Sequence, residues 1–343
     1  MQLIVSGGFF FSREQGTPEQ PPKPPVHGGL GGREHRNTEG KLFLLPITNY
    51  QLPITNYQLP ITNYQLPITN YQLPITNYLI SRPMQTNSQD SHLNSLRQWA
   101  NLMAIIAAFG INVLANLAPF NGLTIGEISN TVFRDVKIIP ANYAFAIWGL
   151  IYLGLFGFAL YQFLPQNQEN PRLEKLGFAL VLASIAQIIW VFLFQYQMFF
   201  LSLGAMIAIL NSLIVAYLRL NIGRVKVSKQ ERWYVDLPIS IYLGWISVAT
   251  IVNVALVLEN WQWKGGGISP ELWTAILLVI AGTVASILII ERNEIAYPFV
   301  IMWALCAIAV RQTTQPLILV TAIGVSLSLG LFGLSLTILR RRI

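Results

Sequence analysis

Tyr242, Trp245, Ala249 and Asn253 follow one another at intervals of three, four and four residues, with no ionised side chain among them. At about 100° per residue the four positions share one stripe of a helix, roughly 80° wide. Two aromatics, a small residue and an amide on one face can wall a pocket for a flat apolar ligand with a polar edge. The same pattern suits ordinary helix–helix packing in a bilayer, where small residues allow close approach and amides act as interhelical glue. Other chemistries find little support. The single cysteine, Cys306, lies in an apolar run, so it forms neither an intrachain disulfide nor a CxxC metal site. His27, His35 and His92 all precede the first long apolar segment, which removes the commonest metal ligand from the apolar body. There is no GxSxG, no intramembrane His-Glu cluster and no phosphate loop, and Gly265-Gly266-Gly267 is a turn too short to cradle a phosphate.

The stripe needs a helix to carry it, and composition says in which solvent that helix lies. Hydrophobic residues make up 53% of the chain and charged residues only 11%, with a mean hydropathy of +0.51. A soluble domain carries about 25% charge, so this chain cannot clothe a water-facing surface. It reads as an all-α membrane protein, and its pI near 9.5 reflects topology, with no nucleic acid implied. Crossing the hydrocarbon takes ~20 apolar residues, and eight segments qualify: 99–118, 141–163, 176–196, 198–219, 238–258, 272–290, 295–310 and 316–339. Gln195-Tyr196-Gln197 divides the third from the fourth as a tight hairpin.

With eight spans and a cytoplasmic N-terminus, the inner segments from Met84 onward carry twelve Lys and Arg. The outer ones carry four: Arg134, Lys137, Lys264 and Arg311. That bias follows the positive-inside rule and places both termini on the cytoplasmic side; the membrane is expected to be a bacterial plasma membrane. No Asp, Glu, Lys or Arg lies in the middle of any span. Proton-coupled carriers and ion pumps generally need such a group at membrane depth.

The stripe residues also carry a resemblance. The segment from Leu237 to Asn253 resembles the fifth helix of the TspO/MBR family, the tryptophan-rich sensory or translocator proteins. Tyr242, Trp245, Ala249, Thr250 and Asn253 are in register, with Val248 where Phe is usual. NYAFAIWGLIYLG, Asn142 to Gly154, resembles the start of that family's second helix at Asn142, Phe145, Trp148 and Tyr152. QIIWVFLF, Gln187 to Phe194, resembles a third motif at Trp190, Leu193 and Phe194. Departures are Ala146-Ile147 for Gly-Pro, Gln187 for Asn, Val191-Phe192 for Ser-Pro, and a single Pro140 in the first long loop.

The resemblance implies a TspO-like five-helix unit over 84–258, followed by three additional transmembrane helices over 259–343. It implies binding or transport of tetrapyrroles or sterol-like lipids between the helices, beneath the loop Pro119 to Pro140, in a protein that is not an enzyme. Carried over position by position, the wall is Trp148, Tyr152, Trp190, Tyr242, Trp245, Ala249 and Asn253, with Asn253 at the ligand's polar edge. Without intramembrane histidine the site has no imidazole for haem iron and should accept metal-free porphyrin, so neither a metal nor a resident cofactor is expected. Partners are then membrane lipids, a porphyrin, haem-type or sterol-like ligand, and a second copy in a homodimer, with no nucleic acid. Two other readings stay open at this point: a photochemical porphyrin-degrading enzyme, and a small-molecule transporter of unrelated class.

Residues 1–83 form a separate segment. PITNYQL repeats from Pro46 to Tyr78, setting Pro46, Pro53, Pro60, Pro67 and Pro74 seven apart. Proline at that period forbids the coiled coil that a heptad would otherwise suggest. Seven codons can spell PITNYQL as CCAATTA three times over, so a seven-nucleotide tandem repeat read through its frames yields this peptide. Such repeats resemble those scattered between cyanobacterial genes. The alternative is a Pro-rich disordered linker. The short apolar stretch before Arg13 lacks a basic n-region and a small-residue cleavage site, so it is not a signal peptide. The native N-terminal peptide is expected at Met84 or Gln85 by mass spectrometry. Recovery of a native peptide carrying Ile54 to Tyr57 in its repeat context would show that the repeat is translated.

Overall fold

The computed structural model describes residues 88–342, with side-chain surroundings over 92–340. Residues 1–83 and their repeat lie outside the described residues. Eight long helices follow: α1 (Ser88–Leu117), α2 (Ile147–Tyr161), α3 (Ala179–Gln195), α4 (Phe199–Arg219), α5 (Leu237–Asn260), α6 (Pro270–Arg292), α7 (Ala296–Arg311) and α8 (Pro316–Arg342). Six helical stretches are long and apolar enough to cross a membrane: His92–Leu117, Asn142–Tyr161, Phe199–Arg219, Lys229–Asn260, Pro270–Arg292 and Pro316–Arg340. Ala179–Gln195 and Ala296–Arg311 are also apolar but shorter, and 17 residues span only ~25 Å at 1.5 Å per residue.

The helices sit where apolar length predicts, and their ends follow local chemistry. α3 begins later than residue 176 because Gly177 takes a positive φ of 58° after the short helix Pro171–Leu176. A Cβ there would stand 3.2 Å from an Arg219 guanidinium nitrogen, so the chain turns where only glycine fits without strain. The α3–α4 hairpin forms at the expected place, with Gln197 at φ 58°. The connection ahead of α5 is partly helical: Lys229–Glu231 and a π-helical turn, Arg232–Asp236, run directly into it. α6 starts on a Ser269 cap, whose hydroxyl accepts the Leu272 N–H at 3.2 Å, and ends at Asn293 in the left-handed region.

α3 packs on α4, α4 on α5, and α1 on α2 and α3, while α6, α7 and α8 pack on one another and α7 packs against α5. The three C-terminal helices therefore share a wall with the first five. α5 is the centre of the bundle. Every residue from Pro238 to Ile246 is buried, so this stretch is enclosed on all sides and shows no lipid-facing stripe. Closure on the α7 side depends on Gly244, whose missing Cβ would lie 3.0 Å from Val300 Cβ and 3.2 Å from the Tyr297 carbonyl oxygen. Close approach through a small residue is the usual means of helix association where lipid supplies no hydrophobic drive.

One end of the bundle collects polar ties between connections. Asn94 donates to Glu174, Arg172 to Glu231 and Asp236, Arg292 to the Ile222 carbonyl, and Arg340 to Asn293. The start of α1 and the end of α8 thus lie on the same face. Gly244→Val should lower the melting temperature in detergent, with ~1–3 kcal/mol of overpacking. Gly149→Val, at an exposed position with open space around it, should not. Equal melting of the two variants would contradict the close α5–α7 contact.

Candidate functional site

A cavity of about 550 Å³ opens among α1 to α5, beneath the loop that follows α1. α5 turns Trp245, Ala249 and Asn253 to it, α2 brings Trp148, α3 brings Trp190 and Phe194, and α4 brings Met206. Three of the predicted wall residues are thus tryptophans from three different helices. Trp245 is buried with Phe145 edge-on against it at 5.8 Å. Asn253 is 3% exposed, and its Oδ1 accepts the Ser202 hydroxyl at 3.2 Å, which leaves its NH₂ for a further acceptor. The Trp190 indole N–H is also buried and has no partner among the described residues. An unpaired donor in an apolar wall is costly unless something else accepts from it.

Five of the seven predicted wall residues line the cavity: Trp148, Trp190, Trp245, Ala249 and Asn253. Tyr152 and Tyr242 lie beneath. The Tyr242 hydroxyl donates to Gln187 Oε1, Gln187 Nε2 donates to the Tyr152 hydroxyl at 2.9 Å, and that hydroxyl donates to the Ala108 carbonyl at 3.2 Å. Both tyrosine rings then support Trp148, Tyr152 stacked at 5.8 Å and Tyr242 edge-on at 5.9 Å. Their contribution is to position the tryptophan that meets the cavity.

The loop forms the cover. Thr124 caps the short helix Ile125–Thr131 in a reciprocal capping box with Glu127: the Glu127 N–H donates to the Thr124 hydroxyl at 3.2 Å, and the Thr124 N–H to the carboxylate at 2.7 Å. These bonds, the backbone one first, hold the Glu127 carboxyl below its usual range, so the rim is anionic at neutral pH. Among the described residues no Lys or Arg lines the cavity. Asn112, Asn116, Asn130 and Asn142 add amides near the cover. The predicted wall left out this polar rim and Phe145, although the second-helix motif contains Asn142 and Phe145, and Asn112 and Asn116, four apart in an apolar helix, mark a polar face.

The cover is fastened at both ends. Gln195 accepts from the Phe120 N–H at 3.1 Å and donates to the Ala115 carbonyl at 2.7 Å. At the far end α7 and its following turn hold the chain: Ala141 N–H donates to the Ala307 carbonyl, Arg311 to Asn130 and Pro140, and Gln312 to the Lys137 carbonyl. Trp303 donates to the Ala144 carbonyl at 3.2 Å, just before Trp148.

Fold and site together define a polytopic helical membrane protein with a covered, tryptophan-lined cavity inside the bundle. The chain belongs to the family described as TSPO-like protein, whose model matches residues 98–335. The match covers the first two of the three C-terminal helices and most of α8, so the extension belongs to the family's own extent. Neither the curated proteins nor the solved structures contain a match to this chain.

Arg311→Met removes two fastenings from the cover at a residue that does not itself line the cavity. Backbone amide exchange over 132–141 should rise several-fold, since ~1 kcal/mol of lost hydrogen bonding is about a fivefold change. Unchanged exchange would mean that Arg311 does not hold the loop.

Proposed function

We propose that this protein binds a tetrapyrrole, or a similarly flat apolar ligand, in the covered cavity, either holding it or passing it on. The supporting observation is the convergence of Trp148, Trp190 and Trp245 on one space of about 550 Å³, within the usual range of ~300–1,000 Å³ for ligand pockets. Aromatic faces stack on a conjugated macrocycle, each pair contributing ~0.5–1.5 kcal/mol beyond burial. Asn253 and the Trp190 N–H supply donors for acceptor atoms on the ligand. The charge pattern narrows the choice. With Glu127 the one ionised lining residue among the described residues, carboxylates on a ligand gain nothing inside and belong at the mouth. A porphyrin ester should therefore bind at least as well as the free diacid. Family membership supports the same reading, as does a cover that closes over the space.

The excess of Lys and Arg at the end bearing Arg172, Arg224 and Arg340 supports placing that face, with both termini, in the cytoplasm of a bacterial plasma membrane.

The test is a fluorescence titration of the purified protein with protoporphyrin IX and its dimethyl ester, paired with melting curves. Trp245→Phe should weaken binding several-fold, ~1 kcal/mol being about fivefold, with little change in melting. Ala249→Leu should weaken it further, because the branched side chain enters the cavity. Normal binding by Trp245→Phe together with lowered melting of Ala249→Leu would mean that the stripe only packs helices.

A further inference from the structure

A second space, of about 400 Å³, lies between α4 and α6 with α5 and α7 as its floor. Ile214 and Leu218 on one lip, and Ile280 and Val284 on the other, are exposed, so it opens sideways toward the hydrocarbon. Leu243, Val248 and Ile301 close the floor. From Ile280 to Arg292 the cleft runs ~18 Å along α6, at 1.5 Å per residue. It is apolar until its last turn, where Tyr217, Arg292 and Tyr297 meet.

That end holds charge and hydrogen-bonding capacity that the protein does not use. Arg292 is 8% exposed, its guanidinium sits 5.1 Å from the centre of the Tyr217 ring, and one N–H reaches the Ile222 carbonyl at 3.3 Å. Among the described residues no carboxylate pairs with it; the ion pairs are those of Arg172 and Arg224. The neighbouring acids are engaged elsewhere. Glu294 accepts the N–H groups of Ile295 and Ala296 at 3.1 and 2.8 Å, and Asp236 takes Arg172 at 2.6 Å. The Tyr217 hydroxyl is buried on a residue 3% exposed and has no partner among the described residues. A buried cation without a counter-charge, beside an orphan hydroxyl, is unfavourable unless an anion completes the site.

We propose that this cleft holds one acyl chain of an anionic phospholipid, with the phosphate on Arg292 and the Tyr217 hydroxyl. Arg292 is the last residue of α6, so its head lies at headgroup depth while the apolar walls reach inward. The phosphate accepts from both groups, and the chain covers the apolar floor. The site shares only Val248 with the lining of the tryptophan cavity, and the proposal does not rest on what that cavity binds.

The full chain, purified in detergent and delipidated, is offered phosphatidylglycerol or phosphatidylcholine of identical chains, and retained lipid is counted by native mass spectrometry. Phosphatidylglycerol should be retained roughly tenfold better, because the choline cation of the other lipid neutralises its phosphate and opposes Arg292. Tyr217→Phe, which removes only the hydroxyl, should reduce that retention several-fold at unchanged melting temperature. Val284→Trp, on the exposed lip, should block it, and Arg292→Gln should abolish the preference. Equal retention of the two lipids would overturn the proposal, as would phosphatidylglycerol binding indifferent to both Tyr217→Phe and Val284→Trp. Retention of oleate in place of phosphatidylglycerol would assign the cleft to a free fatty acid instead. Should Arg292→Gln fail to fold, the other two variants decide.

Discussion

Gln187 joins Tyr242 of α5 to Tyr152 of α2, and through the Tyr152 hydroxyl to a carbonyl of α1, so that four helices meet at one chain of hydrogen bonds. In the hydrocarbon no water can replace a missing partner, and each of these groups would cost several kcal/mol if left alone. Helices that must satisfy one another cannot slide independently. The rings attached to this chain buttress Trp148, and Trp148 forms part of the cavity wall. The shape of the cavity thus depends on polar bonds one layer below it. A glutamine where the family resemblance has asparagine is long enough to serve both tyrosines.

The same constraint explains how a loop can lie over the cavity. A segment without regular structure carries backbone groups that need partners, and here α3 and α7 supply them. α7 belongs to the three-helix extension, yet it packs against α5 through Gly244 and ties down the segment that leads to Trp148. The extension is therefore part of the site's construction. This agrees with a family match that continues to residue 335.

Charge is kept to the ends of the helices, and its distribution separates the two spaces. The tryptophan cavity has an anionic rim and, among the described residues, no basic lining residue, whereas the cleft between α4 and α6 ends at an arginine. The two spaces thus differ in charge, even though both are walled mainly by apolar side chains.

Much of the architecture was legible in the chain. Eight apolar stretches, the hairpin at Gln195 to Gln197 and the membrane class follow from hydropathy, because a helix must hide its backbone from lipid over a fixed length. The spacing of Trp245, Ala249 and Asn253 likewise set them on one face of α5, since helical periodicity is local. Periodicity could not tell a residue that faces a cavity from one that faces a neighbouring helix. Tyr242 shares the stripe with Trp245 yet turns to Gln187, and α5 is buried on every side there, so a helical wheel has no outside to mark. Nor could it show that α7 fastens the loop, or that Arg292 ends an apolar cleft beside an unpaired Tyr217. Those depend on which helices meet across 70 residues or more of chain, and only tertiary packing decides that.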